Sequence, residues 1–256
     1  QRETMKVALR HLLVGLANRY ETIEFIQGDP SWFMHQVADP LDQETMAFLA
    51  MCLSYGSRKQ FMPKIDQLMR LAGGRPYRWI AGGGYADSIV SSDQCYYRLY
   101  TYADIHRLLT ALHDLFCEYG SLGTFASEAV RQDMSGVSDV ESVLVALATF
   151  FRRHGIKGLL PSPYTSACKR PCMFLRWMVR DGSPVDLGLW SGFIDKANLY
   201  VPLDTHVLQT ANQLEIARVK SAGWKAVVDL TRQLGDAFPG DPARGDYALY
   251  GYDIDR

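Results

Sequence analysis

Apolar residues in this chain recur at three- and four-residue spacing over most of its length, and that period restricts the backbone to helices. Leu9, Leu12, Leu13 and Leu16 make one stripe, and Met46, Leu49, Ala50 and Leu53 make a second. Leu108, Leu112, Leu115 and Phe116 follow, then Val140, Val143, Leu144, Leu147 and Phe151. Such stripes put one apolar face on each helix. Asp42, Ser138 and Asp204 stand where N-caps belong, and Glu141 completes a capping-box pattern after Ser138. The Tyr-rich run Cys95–Tyr102 reads as a short strand or an extended connection, and Gly82-Gly83-Gly84 as a loop. The expectation is an all-α protein of about ten to twelve helices. Its 256 residues would form one unit of two helical lobes, 42–150 and 1–41 plus 151–256, with a cleft between them.

Composition removes several classes of function. Every apolar-rich stretch is broken by charges well short of the ~18 residues that a membrane span needs, so no membrane partner is expected. Arg2, Glu3, Lys6 and Arg10 interrupt any secretory-signal pattern. The five cysteines (52, 95, 117, 168 and 172) are odd in number and include no C-x-x-C pair. They read as reduced thiols of a cytoplasmic protein, without a disulfide framework or an iron–sulfur cluster. None of the six histidines falls into H-E-x-x-H or a Cys/His zinc spacing, and there is no P-loop or G-x-S-x-G elbow. Neither metal nor cofactor is expected, and nothing points beyond a monomer.

Charge is balanced overall at −1 but not locally. Residues 151–180 hold seven Lys/Arg and no Asp or Glu. Lys169 lies within that stretch, in Ser166-Ala167-Cys168-Lys169-Arg170, and Pro171 suits the first turn of a helix running to about Arg180. A lysine attacks an electrophilic carbon only as the neutral amine, which burial and neighbouring positive charge favour. A solvated lysine in a basic patch is the other reading. Asp204, in Pro202-Leu203-Asp204-Thr205-His206-Val207, is either a helix cap alone or a cap whose carboxylate also serves chemistry. Cys168 and Cys172 read as packing or as reactive thiols.

Taken together, Lys169 and the Leu203–Val207 run resemble the helix-hairpin-helix–Gly/Pro–Asp DNA glycosylase superfamily. In that superfamily an aspartate at a helix N-terminus is catalytic, and bifunctional members carry a lysine just after the hairpin. The long Lys169-to-Asp204 interval is similar to that of the archaeal-type 8-oxoguanine glycosylases. The chain is also similar, over most of its length, to a bacterial family of conserved hypothetical proteins. That likeness rests on Lys169-Arg170, Met173–Arg180, Asp186, Gly188-Leu189-Trp190, Pro202–Val207, Asp241-Pro242 and Asp246–Leu249. One departure is plain. The superfamily hairpin carries Gly-x-Gly to cradle a phosphate, and this chain has Pro161-Ser162-Pro163-Tyr164-Thr165-Ser166-Ala167.

The resemblance implies a bifunctional glycosylase/AP lyase acting on damaged double-stranded DNA, with an oxidised purine, 8-oxoguanine first, as the lesion. Lys169 and Asp204 would be catalytic. Ser162, Thr165, Ser166, Arg170, Arg176 and His206 would contact DNA. Asp246 and Tyr250, four apart on a final helix, would read the base, with Trp177 and Trp190 as further stacking platforms; a capping acid and packed aromatics are the alternative reading of these four. Two other functions compete: a non-catalytic nucleic-acid-binding module on the same fold, and an all-α interaction protein whose basic stretch binds an acidic partner.

Overall fold

Twelve α-helices and one small two-stranded ribbon make up the regular structure among the described residues, 5–133 and 136–255, of the computed structural model, together with four short 3-10 turns. None of these helices is long and apolar enough to cross a membrane. The chain divides into two compact units. One comprises the described residues through Phe25, Val137–Leu144 and the chain from Pro161 onward; the other comprises Ile26–Gly136 and Val145–Leu160. The contacts thus divide the chain at 25/26, 136/137, 144/145 and 160/161, where the sequence pattern alone puts boundaries at 41/42 and 150/151.

In the second unit, α2 (Pro40–Leu53) is buried on every face from Glu44 to Leu53. The Met46–Leu49–Ala50–Leu53 stripe is one side of a helix that has no wet side, the mark of a core helix. Helix α2 packs on α3 (Arg58–Leu71), α4 (Pro76–Ala81) and α7 (Leu122–Gln132); α6 (Tyr102–Tyr119) packs on α4 and α7, and α5 (Tyr85–Ser88) on α6. Two acids of α2 cap its neighbours. Glu44 accepts from the backbone N–H groups of Leu122 (3.0 Å) and Gly123 (3.1 Å) at the start of α7. Asp42 accepts from Tyr77 N–H (2.9 Å) in the first turn of α4. Asp42 is therefore not the cap of its own helix. Asp39 holds that place, accepting from Leu41 N–H at 2.9 Å, because Pro40 begins the helix. The Cys95–Tyr102 run resolves into β1 (Cys95–Tyr97) and β2 (Tyr100–Thr101), paired antiparallel.

Helix α8 (Asp139–Arg153) begins in one unit and ends in the other. Ser138 Oγ accepts from Glu141 N–H (3.2 Å), as an N-cap does. At the far end Gly155, at φ 77°, lets Ile156 N–H reach the Phe151 carbonyl (2.9 Å), the pattern that closes a helix C-terminus.

The first unit is built from both ends of the described chain. Helix α1 (Val7–Tyr20) packs on α12 (Gly245–Ile254) and α11 (Trp224–Ala237), and α10 (Thr205–Gln213) also touches α12. Leu13, Leu16 and Ala17 of α1 are buried, whereas Leu12 is 43% exposed, so the stripe is narrower than its spacing suggests. The α1–α12 crossing is tight at Gly251, where a Cβ would lie 2.2 Å from the Tyr20 ring. Gly251→Ala should therefore lower unfolding stability by about 1–3 kcal/mol through overpacking, read from urea denaturation midpoints. Full wild-type stability would show that the crossing relaxes freely.

Candidate functional site

Helix α9 (Lys169–Val179) starts at Lys169, two residues earlier than Pro171 alone suggests. Cys168 precedes it in the left-handed region (φ 48°, ψ 33°), a conformation uncommon for a side-chain-bearing residue. Its strain is met by a local framework. Ser166 Oγ accepts from Cys168 N–H (3.1 Å), and the Cys168 carbonyl accepts from Cys172 N–H (2.9 Å). Asp204 caps α10 as its sequence context indicates, with Oδ1 accepting from Val207 N–H at 2.8 Å.

These two helix starts, 35 residues apart in sequence, meet. Lys169 Nζ donates to Asp204 Oδ2 at 2.5 Å. The Lys169 side chain is 44% exposed and that of Asp204 29%, so the pair is open to a ligand. Burial would by itself push the Asp204 carboxyl up. The Lys169 charge and hydrogen bond, the Val207 N–H and the nearby His206 outweigh it and hold the group below the usual carboxylate range. One oxygen thus serves the helix and the other faces the lysine. Lys169 stands at the positive end of the α9 dipole, and Asp204 is the negative charge beside it.

Asp246, on α12, lies within electrostatic range of both members of the pair. Burial pushes its carboxyl up to about 6, against the lowering pull of Arg176 and Lys169. Its carboxylate accepts from Arg176 Nη1. Arg176 is 2% exposed, and its Nε donates to Asp186 Oδ1 at 3.2 Å. Arg180, also 2% exposed, donates Nε and Nη2 to the two oxygens of Asp241 (both 2.8 Å) and Nη1 to Asp186 Oδ2 (2.5 Å), and it pairs with Glu21. Tyr247 lies beneath both guanidinium groups and donates its hydroxyl to Asp186 at 3.0 Å. Each arginine is held firmly protonated by its carboxylates in spite of burial.

Several sequence-derived roles change accordingly. Arg176 cannot face phosphate, because its guanidinium is spent inside the protein on Asp186 and Asp246. Trp177 (0% exposed) and Trp190 (2% exposed) are core residues, the latter edge-on to Phe174, and offer no open face to a base. Tyr250 packs edge-on against Phe25 and Tyr20, away from the role of a free platform. Thr165 Oγ1 and Ser166 Oγ donate to the Ser162 carbonyl (2.9 and 3.3 Å), so these hydroxyls build the turn before Lys169 and do not stand free for phosphate. Arg170 is part-exposed beside Lys169, and His206 is exposed beside Asp204. The basic run itself is divided: Arg152, Arg153 and Lys157 are exposed but belong to the other compact unit. Cys168 and Cys172 are buried, and burial pushes the Cys168 thiol up to about 11 and Cys172 well above the usual thiol range, so neither is a reactive thiolate.

Sequence reasoning missed the residues that hold the two loops together. Glu141 accepts from the hydroxyls of Tyr164 (2.7 Å) and Tyr200 (2.5 Å), one from each segment leading to Lys169 and Asp204. The only local signal at Glu141 is that of a capping box, which says nothing of these partners. No group of three or more potential metal-ligating side chains occurs among the described residues.

A family model described as "Protein of unknown function (DUF2400)" matches residues 29–255. No curated protein and no solved structure matches the chain.

Two outcomes follow from this geometry. Asp204→Asn keeps the cap and loses the ion pair. The carboxylate's stabilisation, present above its unfolded pKa of 3.8, is lost as pH falls through the lower folded value. The variant should lack that acid-side loss, read as the difference between wild-type and variant melting temperatures across pH 2–6, a range set by the reference carboxylate value of about 3.9. Arg176→Ala takes the arginine from Asp246 and one of two arginines from Asp186, and should cost about 3–5 kcal/mol or abolish folding. A variant of wild-type stability would refute the network's structural role.

Proposed function

The chain belongs to this DUF2400 family, and on that footing we propose that it is a bifunctional DNA glycosylase/AP lyase that removes an oxidised purine, 8-oxoguanine before others, from duplex DNA. The observation that carries the reading is the open Lys169–Asp204 contact of 2.5 Å between two helix starts. A nucleophilic amine beside a carboxylate that stays ionised is the pair such chemistry uses. The likeness of both residues to the superfamily's motif adds to it.

In this mechanism the nucleotide is extruded from the stack, since its C1′ is unreachable in a base pair. The Lys169 ammonium first gives up a proton to solvent, directly or by way of Asp204, which passes it on and is a carboxylate again before the attack. The Nζ lone pair then attacks C1′, and the C1′–N bond breaks with its electrons leaving on the base, which takes up a proton. The C1′–O4′ bond opens, the secondary amine's proton passes to O4′, and a Schiff base remains. Loss of the C2′ proton then expels the 3′ phosphate by β-elimination. Asp204, held below the usual carboxylate range, faces the positive charge that builds on the sugar. Asp246, electrostatically coupled to the pair, is the group retained for base recognition. The five free cysteines fit a reducing compartment such as the cytoplasm.

Borohydride trapping tests this on one duplex bearing 8-oxoguanine and a second bearing an abasic site. A covalent complex is expected with wild type on both and none with Lys169→Gln. Asp204→Asn should slow trapping by about 10²–10³-fold, the cost of losing one preorganised electrostatic group. Strand cleavage at the wild-type rate by Lys169→Gln overturns the assignment. Salt-sensitive DNA binding without trapping on either duplex moves the reading to a non-catalytic binding module.

A further inference from the structure

An exposed ion pair does not hold two helices in register by itself. It is worth little in water, and it must order a lysine side chain with four rotatable bonds. Both Lys169 and Asp204 follow non-helical chain, 161–168 and 199–203, whose course adds to helix packing in placing each helix start. Something other than the pair must set the 2.5 Å contact.

We propose that Glu141 is a positioning residue for the Lys169–Asp204 pair: its one carboxylate, on the first turn of α8, clamps the loop before Lys169 to the loop before Asp204 through Tyr164 and Tyr200. This rests on the glycosylase/lyase reading as far as its catalytic consequence goes. Oε2 accepts from Tyr164 (2.7 Å) and Oε1 from Tyr200 (2.5 Å). Tyr164 lies five residues before Lys169, and Tyr200 four before Asp204. Both rings also meet Trp224, Tyr164 edge-on at 6.1 Å and Tyr200 tilted at 4.9 Å, so the two phenols are fixed at face and at tip. Tyr164 sits at φ 69°, where a side chain is seldom found unless its surroundings impose it, and it is 61% exposed, so general burial does not impose it. The Glu141 bond and the Trp224 contact supply the constraint. Glu141 is itself anchored, since its N–H donates to Ser138 Oγ at 3.2 Å. Burial, with the hydrogen bond to Glu141 next, pushes the Tyr200 phenol up to about 12, so it remains a donor throughout the working pH range.

The test compares Glu141→Ala with Tyr164→Phe/Tyr200→Phe, which removes the two hydroxyls and keeps the rings. Both variants should form the borohydride-trapped adduct about 10²-fold more slowly at saturating DNA, the cost of displacing reacting groups by roughly 1 Å. DNA affinity should hold, and combining all three substitutions should slow the reaction no further. Glu141→Gln, which keeps one acceptor oxygen, should fall between. Wild-type rates in folded Glu141→Ala, or losses that multiply in the triple variant, overturn the clamp. A second readout separates this from failure of the enzymatic reading. With lysines reductively ¹³C-methylated, the Lys169 signal, assigned by its loss in Lys169→Arg, should move in Glu141→Ala toward its position in Asp204→Asn. A signal that moves while wild type traps no DNA keeps the clamp and removes the lyase; an unmoved signal overturns the clamp whatever the activity.

Discussion

Two arginines buried on one helix set the terms for the unit that carries the candidate site. Arg176 and Arg180 lie one turn apart on α9 and on the residue that ends it, and neither can remain charged inside the protein without carboxylates brought to it. Those carboxylates come from four separate places: Glu21 after α1, Asp186 in the chain folding back from α9, Asp241 before α12, and Asp246 on α12. Arg244 extends the network by binding the second oxygen of Glu21 and the side chain of Asn18. Satisfying two guanidinium groups therefore fixes how α1, α9 and α12 meet. Lys169 opens the helix that this network orients.

The return of the chain after α9 shows how closely the backbone serves that network. Leu187 and Trp190 donate their N–H groups to the carbonyls of Trp177 and Met178, both at 2.7 Å, which brings Asp186 under the arginines. The path needs Gly188 at φ 65°, because a Cβ there would sit 2.8 Å from the Asp181 backbone. A glycine, a fold-back and an acid are thus parts of one solution to a charge-burial problem.

What the sequence revealed divides along the same line, between local and distant causes. The start of α10 was legible because an N-cap preference acts within three residues, and Asp204 obeys it. The start of α9 was nearly so, since Pro171 marks a first turn. Ser138 is legible for the same reason, but Asp42 is not, because its partner is the N–H of Tyr77 on another helix. The fate of Arg176 was hidden altogether. A run without acids looks like a surface patch, and the acids that neutralise it lie 10 and 70 residues further on. One signal was present: Phe174, Leu175, Trp177, Met178 and Val179 surround Arg176, leaving the helix no polar face to turn outward. Glu141 with Tyr164 and Tyr200 was illegible in the same way, three residues joined only by the fold.

The packing of α1 on α12 also has a consequence in time. Arg19 and Tyr20 of the first helix bind Asp255, more than 230 residues away, and Gly251 receives the Tyr20 ring. During synthesis at about 5–20 residues per second, the apolar stripe of α1 has no α12 to cover it for roughly ten to fifty seconds. The unit that holds Lys169 and Asp204 thus cannot close until α12 has been made. Its first helix has to persist, or be shielded, until its partner emerges.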